Sequence, residues 1–199
     1  MPFAPATRLH QWGKKLGLAA NDGDVLVNNS KDLVYGGVAY ASTAASSAIS
    51  NTTTETAFSE SYTLPKNALR AGSVIKVRYQ GIATATNSTD TLLVKLYIGG
   101  ITGTALLTGT ATDVANSNIF AGEATIVVRT IGASGTFVAV GTHTDVPAAS
   151  GTASHAITEI TASTAIDTTA TQQIAVSATW SVASASNSCR LDVFVVELA

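Results

Sequence analysis

The sequence is short of charge and of sulfur. Asp, Glu, Lys and Arg make up 12% of its 199 residues, about half of the ~25% usual in soluble domains. Its 11 basic and 13 acidic residues leave a net charge of −2, which gives the whole chain no basic face for nucleic acid or anionic lipid. The single cysteine, Cys189, excludes an intrachain disulfide framework and a cysteine-built zinc site. Long uncharged stretches such as 33–54 are rich in Ser, Thr and Gly, not the ~20 apolar residues a bilayer-spanning helix needs. In residues 1–20 the basic residues follow the first apolar ones and no apolar core is present, so this stretch does not read as a secretory signal. Disorder is disfavoured too, because hydrophobic residues reach 46%.

What is present is Ala, Thr, Ser and Val in abundance. Small and β-branched side chains suit a pleated, half-buried surface and close packing between sheets. No repeat of 20–50 residues is evident.

Residues 1–50 differ from the remainder. Arg8, Lys14 and Lys15 carry three positive charges with no acid among residues 1–20. Leu9, Trp12 and Leu16 are spaced for one face of a short helix, weakened by Gly13 and Gly17. Asn21–Asp24 is a turn cluster, too short for a calcium loop. These features read as an N-terminal arm and linker without a core of its own.

From residue 51 the pattern becomes period two. Thr56–Leu64 is the first strand. In 73–80, Ile75, Val77 and Tyr79 alternate with Lys76, Arg78 and Gln80; Leu92, Val94, Leu96 and Ile98 follow on one face of the next run, and the two runs read as a hairpin across Asn87–Asp90. Ile101–Leu107 is a short strand broken by Gly103. Glu123–Ile131, Thr136–Thr144, Ser154–Ala162, Gln172–Ser181 and Ser188–Leu198 complete the set. In the last, Leu191, Val193 and Val195 oppose Phe194, Val196 and Leu198, as in a strand apolar on both faces. Many short strands joined by Gly, Asn and Ser turns predict an all-β fold, an antiparallel jelly-roll sandwich of about eight strands with an extended N-terminal arm.

No constellation for catalysis stands out. His143 and Asp145 share a face at a strand end, with His155 further on, but a metal site needs three or four converging ligands; the pair reads as a strand-edge histidine and a turn aspartate before Pro147. No Gly-x-Ser-x-Gly elbow occurs. Cys189 falls inside a strand, where a thiol is an inert hydrophobe. Glu55, Glu60, Asp113, Glu123, Glu159 and Asp167 are scattered and unpaired by any motif. No enzyme activity, metal or cofactor is therefore expected. The binding candidates are the arm residues Arg8, Leu9, Trp12, Lys14, Lys15 and Leu16, where cations flank an aromatic anchor; three cations are too few for tight nucleic-acid binding.

The segment Tyr62-Thr-Leu-Pro65-Lys-Asn67-Ala-Leu69-Arg-Ala-Gly72-Ser-Val-Ile75-Lys-Val77 resembles the opening of jelly-roll domains in tailed-bacteriophage virion proteins, both head decoration (cement) proteins and fibre tips. The Asn-Ser-Thr-Asp turn, the Leu-Tyr-Ile-Gly-Gly strand end and the closing Arg190-to-Ala199 strand fit the same pattern. The resemblance covers roughly residues 51–199. It implies a homotrimer on the outer surface of a phage capsid; residues 1–50, outside the resemblance, are read from their own cations and apolar residues as the arm that anchors it to the major capsid protein, and the charge balance gives no expectation of membrane or nucleic-acid contact. A closed trimer would also hide sheet edges around its axis. The alternative it implies is a fibre or spike module that recognises a host surface glycan through exposed aromatics, Tyr97 being a candidate.

Overall fold

The computed structural model describes residues 26–27, 33–34, 37–86, 89–146 and 154–199. The chain divides into two compact units. In the unit that ends at Gly37, β1 (Leu26–Val27) pairs antiparallel with β2 (Leu33–Val34). The other unit, Val38–Leu198, is an all-β antiparallel sandwich, and no helix occurs among the described residues.

Its strands are β3 (Gly37–Ala41), β4 (Ile49–Ser50), β5 (Thr56–Leu64), β6 (Val74–Thr84), β7 (Thr91–Ile98), β8 (Thr104–Thr108), β9 (Thr112–Asp113), β10 (Asn118–Thr130), β11 (Gly135–Val146), β12 (Ser154–Ile166), β13 (Gln172–Trp180) and β14 (Ser188–Leu198). One sheet has seven strands in the order β12-β11-β10-β6-β14-β3, with β4 also on β14. The other has five, β5-β13-β7-β8, with β9 beside β7. The chain crosses between sheets after β4, β5, β6, β9, β12 and β13. This swapping of sheets is jelly-roll-like, and the β11–β12 hairpin extends the larger sheet beyond β10.

The period-two pattern places the core as expected. Ile75, Val77 and Tyr79 of β6 face inward with Ile126 and Val128 of β10 and Phe137 of β11. Ile174, Val176, Ala178 and Trp180 of β13 meet them from the five-stranded sheet. Each large side chain removed from water contributes roughly 1.5–3 kcal/mol.

The β5–β6 connection explains the Leu-Pro-x-Asn-x-Leu step. Leu64 ends β5 in the core, and Pro65 starts a turn closed by the Ala68 N–H donating to the Pro65 carbonyl at 3.3 Å. Asn67 takes a left-handed φ of 60°, which Asn tolerates better than most residues. Its N–H donates to the Thr168 carbonyl at 2.8 Å, and Leu69 returns to the core.

Three expectations change. The β6 and β7 runs are not a hairpin: they lie in different sheets, because the linker crosses the sandwich, held by the Ala85 N–H on the Ala115 carbonyl at 3.2 Å. In β14 a register shift between Leu191 and Val193 resets the alternation. Leu191, Phe194, Val196 and Leu198 all face the core, while Val193 is exposed. The sandwich also begins before residue 51. Strands β3 and β4 pair with β14, Tyr40 packs on Phe194, and the Trp180 indole N–H donates to the Ile49 carbonyl at 3.3 Å.

Candidate functional site

The strand registers turn the outer face of the seven-stranded sheet into rows of neighbours. One row reads Ile157–Thr142–Glu123–Arg78–Val195 across β12, β11, β10, β6 and β14. The next reads Glu159–Val140–Thr125–Lys76–Glu197. Over these rows lies a groove of about 410 Å³, walled by Lys76, Arg78, Glu123, Thr125, Thr142 and Glu197. Arg78 donates to Glu197 Oε1 at 3.2 Å, with the arginine side chain 64% exposed, so this pair contributes little to stability. The same face carries apolar side chains in water: Ile157 is 75% exposed, with Val140, Ile119 and Val193 between 42 and 48%. The face offers charges of both signs, hydroxyls and apolar contacts on a preformed backbone.

The outer face of the five-stranded sheet is different. Glu55, just before β5, accepts at Oε1 from Tyr97 at 2.8 Å and from Ser177 at 2.6 Å, and at Oε2 from Lys95 at 3.3 Å. Burial pushes the Glu55 carboxyl up, but these three donors outweigh it and hold it below the usual carboxylate range. Burial would lower Lys95, yet its contacts with Tyr97 and Glu55 leave it raised. Tyr97 is only 6% exposed. It is therefore not the exposed aromatic platform expected of a glycan site; its hydroxyl and ring are committed to Glu55 and Lys95.

His143 and Asp145 correct the sequence reading in another way. They lie inside β11 and face the core, not a strand edge or a turn. The Tyr79 hydroxyl lies 2.8 Å from His143 Nδ1, and His143 Nε2 lies 3.1 Å from Asp145 Oδ1. With Asp145 as a carboxylate, Nε2 carries the hydrogen and donates, and Nδ1 accepts from Tyr79. Thr112 of the other sheet shares its hydroxyl hydrogen between the Thr110 carbonyl at 3.0 Å and Asp145 Oδ2 at 3.2 Å. Burial first, then the Asp145 charge, push the Tyr79 phenol far upward, so it stays protonated. Tyr79, His143 and Asp145 are buried and the half-buried Thr112 completes the chain from the other sheet, which suits a tie between sheets. The register sets His155 of β12 opposite Thr144.

The remaining candidates are dispersed. Glu60 accepts from Tyr40. Asp167 Oδ1 accepts from the Thr169 hydroxyl at 2.6 Å and its N–H at 2.8 Å, bonds that lower its pKa. Cys189 is buried in β14, and burial pushes its thiol up to about 12. Among the described residues no group of three or more His, Cys, Asp and Glu side chains is placed to hold a metal ion. Arg8, Leu9, Trp12, Lys14, Lys15 and Leu16, and the Asn21–Asp24 cluster, lie outside the described residues.

No family model matches the chain, and no curated protein matches it. Solved structures similar to it include several lectins. Lectin UEA-II complexed with galactose is 8% identical, with 88% of this chain and 90% of that chain covered and a TM-score of 0.37. Lectin II from Ulex europaeus has the same identity, coverage and TM-score: 8%, 88%, 90% and 0.37. A Lotus tetragonolobus seed lectin is 10% identical, with 90% and 95% covered and a TM-score of 0.34.

Proposed function

We propose that the chain is a structural virion protein: a decoration (cement) protein on the outer surface of a tailed-phage capsid, acting as a homotrimer that bridges major capsid subunits. It works mechanically, without catalysis, cofactor, membrane or direct nucleic-acid contact. The observation that supports this best is the outer face of the seven-stranded sheet, where Ile119, Val140, Ile157 and Val193 stand exposed among Lys76, Arg78, Glu123 and Glu197. Apolar side chains rimmed by charges of both signs suit a protein–protein contact. The residue 1–36 segment, with Arg8, Leu9, Trp12, Lys14, Lys15 and Leu16, supplies added area as an anchor to the shell.

The test is light scattering on the full chain, then co-sedimentation with capsids that lack it. A trimer that saturates capsids at fixed stoichiometry and raises their melting temperature is the expected outcome. Equal binding by a chain lacking residues 1–36 would remove the anchoring role. A second reading, a receptor-binding module for a host surface glycan, draws on the polar lining of the same groove. It gains if the protein ignores capsids and adheres to host cells or their glycans.

A further inference from the structure

A sheet edge presents a row of main-chain donors and acceptors to any strand that can reach it, and most folds blunt their edges. This sandwich blunts all but one. Strands β3, β4, β8 and β9 are only two to five residues long. The longer β5 is crossed by the chain before it: the Ser47 N–H donates to Ser59 Oγ at 3.0 Å, and Tyr40 donates to Glu60. The Thr108 N–H at the end of β8 donates to Thr158 Oγ1 of β12 at 3.4 Å.

The exception is β12. It is 13 residues long and, among the described residues, pairs with β11 alone. It holds no Lys, Arg or Pro, and its one carboxylate is Glu159. From Ser154 to Ile160 it runs in unbroken register with Asp145 to Ala139, and the register shifts only beyond Ile160. Every second residue of such a run turns its N–H and C=O away from β11. The Thr108–Thr158 bond holds the run in place. At its middle stands Ile157, 75% exposed and the most exposed large hydrophobic side chain among the described residues.

This run is complementary to itself. A two-fold axis at Ile157 sets Ile157 beside its own copy, Thr158 opposite Ala156 and Glu159 opposite His155, so no like charges face each other. We propose that the 154–160 edges of two copies of this chain pair antiparallel about that axis and join their seven-stranded sheets into one. The pairing completes the β12 ladder and brings two exposed isoleucines together. A joint of this length is small, below the ~1,200 Å² at the low end of specific interfaces. It therefore links neighbouring copies reversibly. Being two-fold, it adds to a three-fold ring by tying chains of separate rings. It leaves the groove over Lys76 and Arg78 open, and it does not rest on the capsid reading.

The experiment uses the full chain without capsids. Residues directly opposed across an antiparallel pair have Cα atoms about 4.5–5.5 Å apart, within the ~4.4–6.8 Å that a disulfide spans. Cys189 is buried, so the thiol of I157C is the reactive one. Mild oxidation of I157C with copper phenanthroline should give a covalent species of two chains, never three, on a denaturing gel. V140C, on the same face but one strand in from the edge, should stay single. Sedimentation equilibrium at high concentration should give the wild type a larger mean mass than I157K, whose lysines would meet across the axis. I157C that stays single, V140C that couples as fast, or I157K with the mass of the wild type each overturns the pairing.

Discussion

Tyr79 reaches His143 across an intervening strand, and Gly122 is the reason it can. Gly122 of β10 is registered opposite Tyr79 of β6 on one side and His143 of β11 on the other. A Cβ on Gly122 would overlap the Tyr79 ring. With only hydrogen there, the ring lies over the strand and its hydroxyl meets His143 Nδ1 at 2.8 Å. Gly109 clears the far side of the imidazole, since a Cβ there would stand 2.6 Å from His143 Cδ2.

Removing the Tyr79 hydroxyl therefore leaves a buried imidazole nitrogen without its donor. We expect Y79F to lose about 1–3 kcal/mol in urea unfolding, with the secondary structure retained. G122A forces the ring off its path and should cost at least as much, in the ~1–3 kcal/mol range of overpacked cores. A G122A protein as stable as the wild type would contradict this account of the Tyr79–His143 bond.

Glu55 gives a pH dependence whose sign follows from its lowered pKa. A carboxyl depressed in the folded state contributes stability above the unfolded value of about 4.3, and that contribution is lost as pH falls through the folded value. Lys95 is raised, so its contribution is present below about 10.4 and is lost as pH rises through its folded value. E55Q should remove the Glu55 contribution to acid-side loss of stability, seen as a smaller fall in Tm between pH 5 and pH 3. E55A should cost more than E55Q at neutral pH, by roughly 1 kcal/mol, because Tyr97 and the buried Ser177 then lose their shared acceptor.

Ile157 tests the outer face. At 75% exposure its change to lysine should move stability by no more than about 0.5 kcal/mol. On the proposed function, I157K should weaken co-sedimentation with capsids while leaving the melting temperature alone. Unchanged capsid binding would exclude the β12 side of the groove from the contact.

Cys189 should be silent in the folded protein. Burial holds its thiol at about 12, so almost no thiolate forms at neutral pH. A disulfide exchange reagent should label it at the rate of unfolding, and should label it at once in denaturant.

Much of the architecture was legible because alternation is local. Inward Ile75, Val77, Tyr79 and outward Lys76, Arg78, Gln80 follow from the period of an extended chain, and the bounds of β5 follow from Thr56–Leu64 alone. The candidate groove was legible only in part. Lys76 and Arg78 were readable as outward, but nothing in the sequence sets Glu123 beside Arg78 or Glu197 beside Lys76. Tyr97 was misread because its outward phase is correct while its burial depends on Glu55, Lys95 and Ser177.

The sequence by itself determined the class of fold, the faces of most strands and the poverty of charge that suits packing over chemistry. Only the tertiary structure decided which strands are neighbours, that β6 and β7 part into opposite sheets, that one register shift in β14 turns Val193 outward, and that His143 and Asp145 close a buried chain with Tyr79. Side-chain alternation is a property of one strand, whereas sheet partners, registers and buried polar contacts join residues far apart in the chain. They are selected by packing the whole sandwich at once.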